Sequence, residues 1–187
     1  MKTFFDHIDH YYKLSEDAKQ AIAKVLKQHT LTKNALLATE GKVCQHMYFL
    51  EKGCVRGYYN LDGKEVTYWF AFENSFVTSF YSFISRKPAF ENIQLIEDCQ
   101  LLSINYEDLQ TLYSQYPEIE RIVRIINESY YVRLEERFVA AQFKTAKERY
   151  AGLLDFSPHI LQRMPLGYIA SYLGISQETL SRIRGKI

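Results

Sequence analysis

Apolar residues recur at two different periods along this chain, and the change of period divides it. Over residues 1–29, Leu14, Ala18, Ile22, Val25 and Leu26 fall at spacings of three and four behind Ser15-Glu16-Asp17. That spacing brings side chains to one helical face, and a serine followed by acids is a helix start. From Leu31 to Ile104 the texture shortens. The runs Ala35–Thr39, Met47–Leu50, Val55–Tyr59 and Val66–Phe72 are rich in Tyr, Phe, Val and Leu, and Gly41, Lys52-Gly53 and Asn60-Leu61-Asp62-Gly63 break them. Short strands at intervals of about 8–12 residues predict an antiparallel sandwich or barrel. Asp62-Gly63 is the clearest hairpin turn, because glycine accepts the positive φ that a tight turn imposes. Asn92–Ile96 and Gln100–Ile104 read as a further strand pair around Glu97-Asp98, and the aromatic stretch Ser75–Phe90 as a short helix or a loop.

After Pro117 the helical period returns. Ile119, Ile122, Val123, Ile126, Tyr130, Leu134, Phe138 and Ala141 form one stripe over about seven turns. That is more apolar stripe than one small β-domain covers, so a homodimer through the 117–143 helix is the economical expectation; packing wholly against the chain's own sheet is the alternative. A second helix, Lys144 to Phe156, is ended by Ser157-Pro158, since proline disfavours helix at the residue before it.

The last segment carries the candidate function. Between Leu166 and Ile183 two short helices meet at Gly174, with Ala170 small at their crossing and Ile169, Leu173, Ile175, Leu180 and Ile183 as shared core. Ser176 is placed to cap the second helix, with Thr179 at its third position. This pattern predicts a helix-turn-helix, hence double-stranded DNA as partner. Glu178, Ser181 and Arg182 share a face, with Gln177 beside them. Arginine pairs bidentately with guanine, glutamate accepts from cytosine and glutamine addresses adenine. An ordinary surface pair is the plainer reading of Glu178 and Arg182. Arg184 and Lys186 are placed for phosphate contacts, which add affinity without sequence information.

Charge sharpens this picture modestly. The net charge of +1 conceals seven Lys and Arg against three acids in residues 144–187, so the positive excess sits at the C-terminus. With 187 residues, 47% of them hydrophobic, the chain can bury a sizeable core. No apolar run approaches a membrane span and no secretory signal opens the chain, so the expected location is the cytoplasm and no membrane partner is expected. Cys44, Cys54 and Cys99 are odd in number and widely spaced, which suits reduced thiols. His7 and His10 share a helix face but lack a third ligand, and His46 stands alone, so no metal and no cofactor is expected. No nucleophile–base constellation is visible, so the chain is not read as an enzyme and no catalytic residue is assigned.

The order of elements, N-terminal helix, β-roll, long helix and C-terminal helix-turn-helix, resembles the Crp/Fnr family of bacterial transcriptional regulators over nearly the whole chain. Lys33-Asn34-Ala35-Leu36-Leu37-Ala38-Thr39-Glu40-Gly41, Met47–Val55 and Asp62-Gly63-Lys64-Glu65 resemble that family's cyclic-nucleotide-binding-type roll, with Gly41, Gly53 and Gly63 as its turn glycines. Gln177-Glu178-Thr179-Leu180-Ser181-Arg182 is similar to the recognition helix of the Fnr branch, which implies base-reading roles for Glu178, Ser181 and Arg182. The implied fold is α+β: a sensor domain over 1–116 comprising an N-terminal helix and an antiparallel, jelly-roll-like β-roll, a dimerisation helix over 117–143, and a helix-turn-helix domain over 144–187. The candidate DNA contacts are Ser176, Gln177, Glu178, Thr179, Ser181, Arg182, Arg184 and Lys186. RNA polymerase enters as a candidate partner.

Where cyclic-nucleotide binders of that family present a Gly-Glu pair and an Arg-Ser or Arg-Thr pair, this chain reads Phe76-Val77-Thr78-Ser79-Phe80 and Pro88-Ala89-Phe90-Glu91. A charge-assisted bond to a phosphate has no neutral substitute, so cAMP is not the expected effector. Phe76, Thr78, Ser79, Phe80, Arg86 and Phe90 are candidates for lining a pocket for some other effector, with Arg86 otherwise a solvated loop arginine. Three cysteines cannot supply the four ligands of the Fnr branch's cluster. Five residues follow Arg182, so DNA affinity is expected to lean on the helix and the dimer rather than on a β-hairpin wing. The leading expectation is a dimer on a palindrome with half-sites about one helical turn apart. The alternative is a β-roll ligand-binding module acting through protein contacts without DNA binding.

Overall fold

The computed structural model describes residues 1–185. Two helices open the chain, α1 (Lys2–Asp9) and α2 (Glu16–Val25). Ser15 caps α2, its Oγ accepting from the Ala18 amide at 3.2 Å and donating to Glu118 at 2.5 Å, while Ala18 and Ile22 are buried. The helical period does not run to residue 29. The chain turns extended at Leu26 and continues as β1 (Lys27–Leu31), because the neighbouring strand offers a free edge: Lys27 pairs with Ser103 and Leu31 with Cys99. Sheet pairing overrides a local helical pattern here.

The remaining strands are β2 (Leu36–Ala38), β3 (His46–Lys52), β4 (Val55–Leu61), β5 (Lys64–Ala71), β6 (Ser75–Val77), β7 (Asn92–Leu95) and β8 (Cys99–Asn105), with a short helix α3 (Phe80–Ser85) between β6 and β7. Ser75–Phe90 thus holds a strand as well as a helix. They form two four-stranded antiparallel sheets, ordered β1-β8-β3-β6 and β2-β7-β4-β5. The β4–β5 hairpin turns on Asp62 (φ 50°) and Gly63 (φ 77°), two positive-φ residues that match the strands' twist. The strands β7 and β8 do not pair with each other. They cross between the sheets, β7 lying against β2 and β4 and β8 against β1 and β3, so Glu97-Asp98 is an inter-sheet corner rather than a hairpin turn.

Helix α4 (Tyr106–Gln115), unanticipated from the sequence, is capped by Asn105, whose Oδ1 accepts from the Asp108 amide at 2.7 Å. The long helix α5 (Pro117–Phe143) starts with proline at its first turn, where no N–H is required. Its first half belongs to the core of the roll: Ile119, Ile122 and Ile126 are buried with Phe49, Leu101, Leu102 and residues of α1, α2 and α4. Its second half has no such cover, Leu134 being 54% and Phe138 62% exposed.

Helices α6 (Ala146–Phe156), α7 (Ile160–Arg163), α8 (Leu166–Tyr172) and α9 (Gln177–Arg184) follow. α6 begins after a reciprocal cap, Glu148 and Thr145 bonding each other's amides, and ends at Ser157, which leaves the helical region ahead of Pro158. These helices share a second core, built on Tyr150, Leu153, Ile160, Met164, Ile169, Leu173 and Leu180. Cys54, Phe70 and Ile96 of the roll lie in that same core, so the C-terminal helices are packed on the second sheet.

Candidate nucleic-acid interface

The turn between α8 and α9 follows from Gly174. Its φ of 65° lies in the left-handed region, and its N–H bonds the Ser171 carbonyl at 3.0 Å while the Ile175 N–H bonds that of Ala170 at 3.0 Å. This pair of bonds is a Schellman closure, which needs a residue without Cβ strain at that position. Gly167 of α8 faces the flexible end of the Gln177 side chain, which would lie 2.9 Å from a Cβ placed there. Arg149 reaches across from α6 to donate to the Leu173 carbonyl at 2.8 Å, satisfying the end of α8.

α9 is then started by Ser176, whose Oγ accepts from the Thr179 amide at 3.2 Å. Leu180 is buried beneath it, and Ser176, Gln177, Glu178, Ser181, Arg182 and Arg184 are exposed. The structure brings these residues onto one outward surface, with Thr179 half-buried at its side. Lys186 lies outside the described residues. Bonding from Ser176 and from its own amide, with Arg182 nearby, holds the Glu178 carboxyl below the usual carboxylate range, so it is an acceptor at neutral pH. Arg182 donates to Thr179 Oγ1 at 3.1 Å, which aims the guanidinium along the helix start.

The basic excess of the C-terminal segment is smaller than its sequence count. Arg149 is spent on α8, and Arg163 forms a two-bond fork with Glu73, both at 2.8 Å, and a further pair with Glu97. Lys144, Lys147, Arg182 and Arg184 are the exposed cations among the described residues of that segment.

The six candidate effector residues are dispersed. Phe76 is core, edge-on to Phe4 and tilted against Phe49 at 5.2 Å. Thr78 donates to the His46 carbonyl at 2.9 Å. Phe80 meets Tyr130 of α5 at 4.9 Å, Tyr130 donates to the Phe76 carbonyl at 2.6 Å, and Ser79 beside them is buried with its Oγ unpartnered. Arg86 is not a solvated loop arginine. It donates to the Cys44 carbonyl at 2.8 Å and to Gln45 at 2.5 Å, and lies 4.0 Å over the Tyr106 ring. Phe90 is exposed and stacked on Tyr81. Phe76, Ser79 and Phe80 therefore gather at α5, while Arg86 and Phe90 face elsewhere.

A residue passed over in the sequence stands in the stretch compared with the phosphate-binding one. Glu91 is buried and accepts from Tyr68 and, at 3.0 Å, from Trp69 Nε1. Its signal was legible only as an acid at the end of Pro88-Ala89-Phe90-Glu91. A carboxyl there repels rather than holds a phosphate. Burial pushes the Cys54 thiol up to about 12 and Cys99 to about 11, which makes both poor nucleophiles. Among the described residues no three His, Cys, Asp or Glu side chains converge as a metal site, and no helix is long and apolar enough to cross a membrane.

Residues 28–116 match the family model described as a cyclic nucleotide-binding domain. No curated protein matches the chain. Among solved structures, FixK2 from Bradyrhizobium japonicum is similar with a TM-score of 0.74 and 20% identity, covering 87% of this chain and 84% of its own. The catabolite activator protein of Thermus thermophilus gives 0.60 and 18%, covering 94% and 84%. CLP of Xanthomonas campestris, a c-di-GMP-responsive global regulator, gives 0.66 and 19%, covering 92% and 91%. The class is thus a cyclic nucleotide-binding-type roll joined by a long helix to a C-terminal helix-turn-helix. Within it, the fold is that of the Crp/Fnr-type regulators, as the motifs implied.

Proposed function

We propose that this protein is a dimeric, sequence-specific DNA-binding transcriptional regulator whose effector, where it has one, is not cAMP. The observation that carries the reading is the outward surface of α9, where Gln177, Glu178, Ser181 and Arg182 stand exposed on a helix whose start and approach are fixed by Ser176 and Gly174. Those side chains match the donor and acceptor pattern of major-groove edges. The exposed apolar stripe on the second half of α5 supports dimerisation, which supplies the two-fold symmetry of a palindrome. Glu91 supports an effector other than a cyclic phosphate. That structural neighbours include a global regulator and a transcriptional regulator of the crp/fnr family supports a regulator over an enzyme.

Selection of bound sequences from a random DNA pool, followed by anisotropy titrations at several salt concentrations, tests the proposal. A palindromic consensus with steep salt dependence is expected. Equal, salt-insensitive retention of all sequences overturns it.

A further inference from the structure

The link between α5 and α6 is short and extended, comprising only Lys144 and the capping Thr145. By itself such a link leaves the helix-turn-helix free to swing. What fixes it is a seam along β5. This strand ends the second sheet, and the Ser171 hydroxyl of α8 occupies its open side, accepting from the Thr67 N–H at 3.0 Å and donating to the Glu65 carbonyl at 3.3 Å. One side chain thereby satisfies a donor and an acceptor that a further strand would otherwise take.

Beside it lies Arg56 of β4, a cation with only 1% of its surface exposed. Its guanidinium donates to Gln94 at 2.9 and 2.7 Å and to Thr67 at 3.3 Å, and pairs with Glu65. The guanidinium also lies over the Tyr58 ring of the roll at 4.2 Å and over the Tyr168 ring of α8 at 3.6 Å. A desolvated guanidinium in contact with two rings is a directional contact, because both stacking distance and tilt matter. Phe70 against Tyr172 at 5.2 Å and the Arg163 fork extend the seam.

None of these contacts uses α9, whose outward residues stay exposed. The seam therefore does not mask the DNA-facing surface; it decides where that surface points. We infer that Arg56, Tyr168 and Ser171 are positioning residues that set the orientation of the recognition helix relative to the roll, and through the dimer the half-site spacing the protein accepts. This rests on the DNA-binding reading above.

The test uses full-length protein, the double variant Ser171→Ala with Tyr168→Leu, and the conservative double variant Ser171→Thr with Tyr168→Phe, which keeps the hydroxyl and the ring. Each is titrated against the selected half-site alone and against palindromes with spacing altered by one to three base pairs, and hydrogen exchange at the Thr67 amide is followed without DNA. The disrupting variant is expected to exchange Thr67 faster, to bind the single half-site as wild type does, and to lose a spacing preference of about tenfold. The conservative variant restores all of it. A disrupting variant with wild-type spacing preference, or with Thr67 still protected, overturns the inference; so does an equal loss on the single half-site, which reports a damaged helix-turn-helix. Wild-type protein that binds no DNA overturns the functional reading instead, and the Thr67 exchange then decides separately whether the seam forms.

Discussion

The Arg56 guanidinium lies 3.6 Å from the ring centroid of Tyr168, so a strand of the roll and the first helix of the helix-turn-helix share one buried cation. Arg56→Ala leaves Gln94 and Thr67 without their donor and removes the stack, a loss of roughly 2–4 kcal/mol in chemical denaturation. Arg56→Lys recovers little of it, since an ammonium neither forks nor stacks as a plane. Full stability in the lysine variant would show the planar geometry to be immaterial.

Base reading and phosphate contact separate by their salt and sequence signatures. Arg182→Ala is expected to cost about 1–3 kcal/mol on the selected site and to relax preference at one base pair of each half-site. Arg184→Ala weakens all sequences alike and lowers the salt slope by about 1. Parallel titrations on consensus and scrambled DNA distinguish the two.

The second half of α5 predicts its own variant. Leu134→Glu or Phe138→Glu puts a charge into the exposed stripe without touching the buried Ile119, Ile122 and Ile126. Sedimentation analysis is expected to find a folded monomer, with affinity for the palindrome reduced toward that for a single half-site. A dimer unchanged by both substitutions removes the helix from the interface.

Gly174 at φ 65° is costly to replace. Gly174→Val should lower stability by about 1–2 kcal/mol, seen in thermal unfolding, because a branched side chain in the left-handed region clashes with its own backbone. Gly152, in the middle of α6 with open space around its Cβ position, is the control: Gly152→Ala should be neutral or stabilising.

The seam is also acid-sensitive. Burial alone raises the Glu73 carboxyl, but the bonds from Arg163 and from the Glu73 and Gly53 amides outweigh it and hold the group below its ordinary 4.5. A depressed carboxylate contributes stability above its unfolded value and loses it as pH falls through the folded one. Protection of α7 and α8 against hydrogen exchange, corrected for intrinsic rates, is expected to be level from pH 7 to about 5 and to fall below about 4. Glu73→Gln should flatten the part of that dependence owed to this pair.

Local chemistry made much of this molecule legible in advance. Ser15, Ser176, Gly174 and Asp62-Gly63 each act within a few residues, and each caps or turns where its type demands. Failures came where distant partners decide. Residues 27–29 continue a helical pattern but are claimed by β8, and the corner at Glu97-Asp98 has turn chemistry yet separates two sheets. Arg56 and Ser171 were unremarkable as sequence, because the contacts that join them across the seam, Arg56 to Tyr168 and Thr67 to Ser171, link residues far apart in the chain. Of the proposed site, the α9 surface was readable, while the dispersal of Arg86 and Phe90 depended on Tyr106 and Tyr81 being where the fold puts them.

The placement of Ser171 on β5 bears on solubility as well as geometry. Val66, Tyr68, Trp69 and Phe70 make β5 a strand of high β-propensity, and with α8 lifted away its unpaired backbone groups are a template for another chain. Molecules whose C-terminal helices come loose are thus drawn toward self-association, and variants that weaken the seam should show it first as turbidity on warming at high concentration.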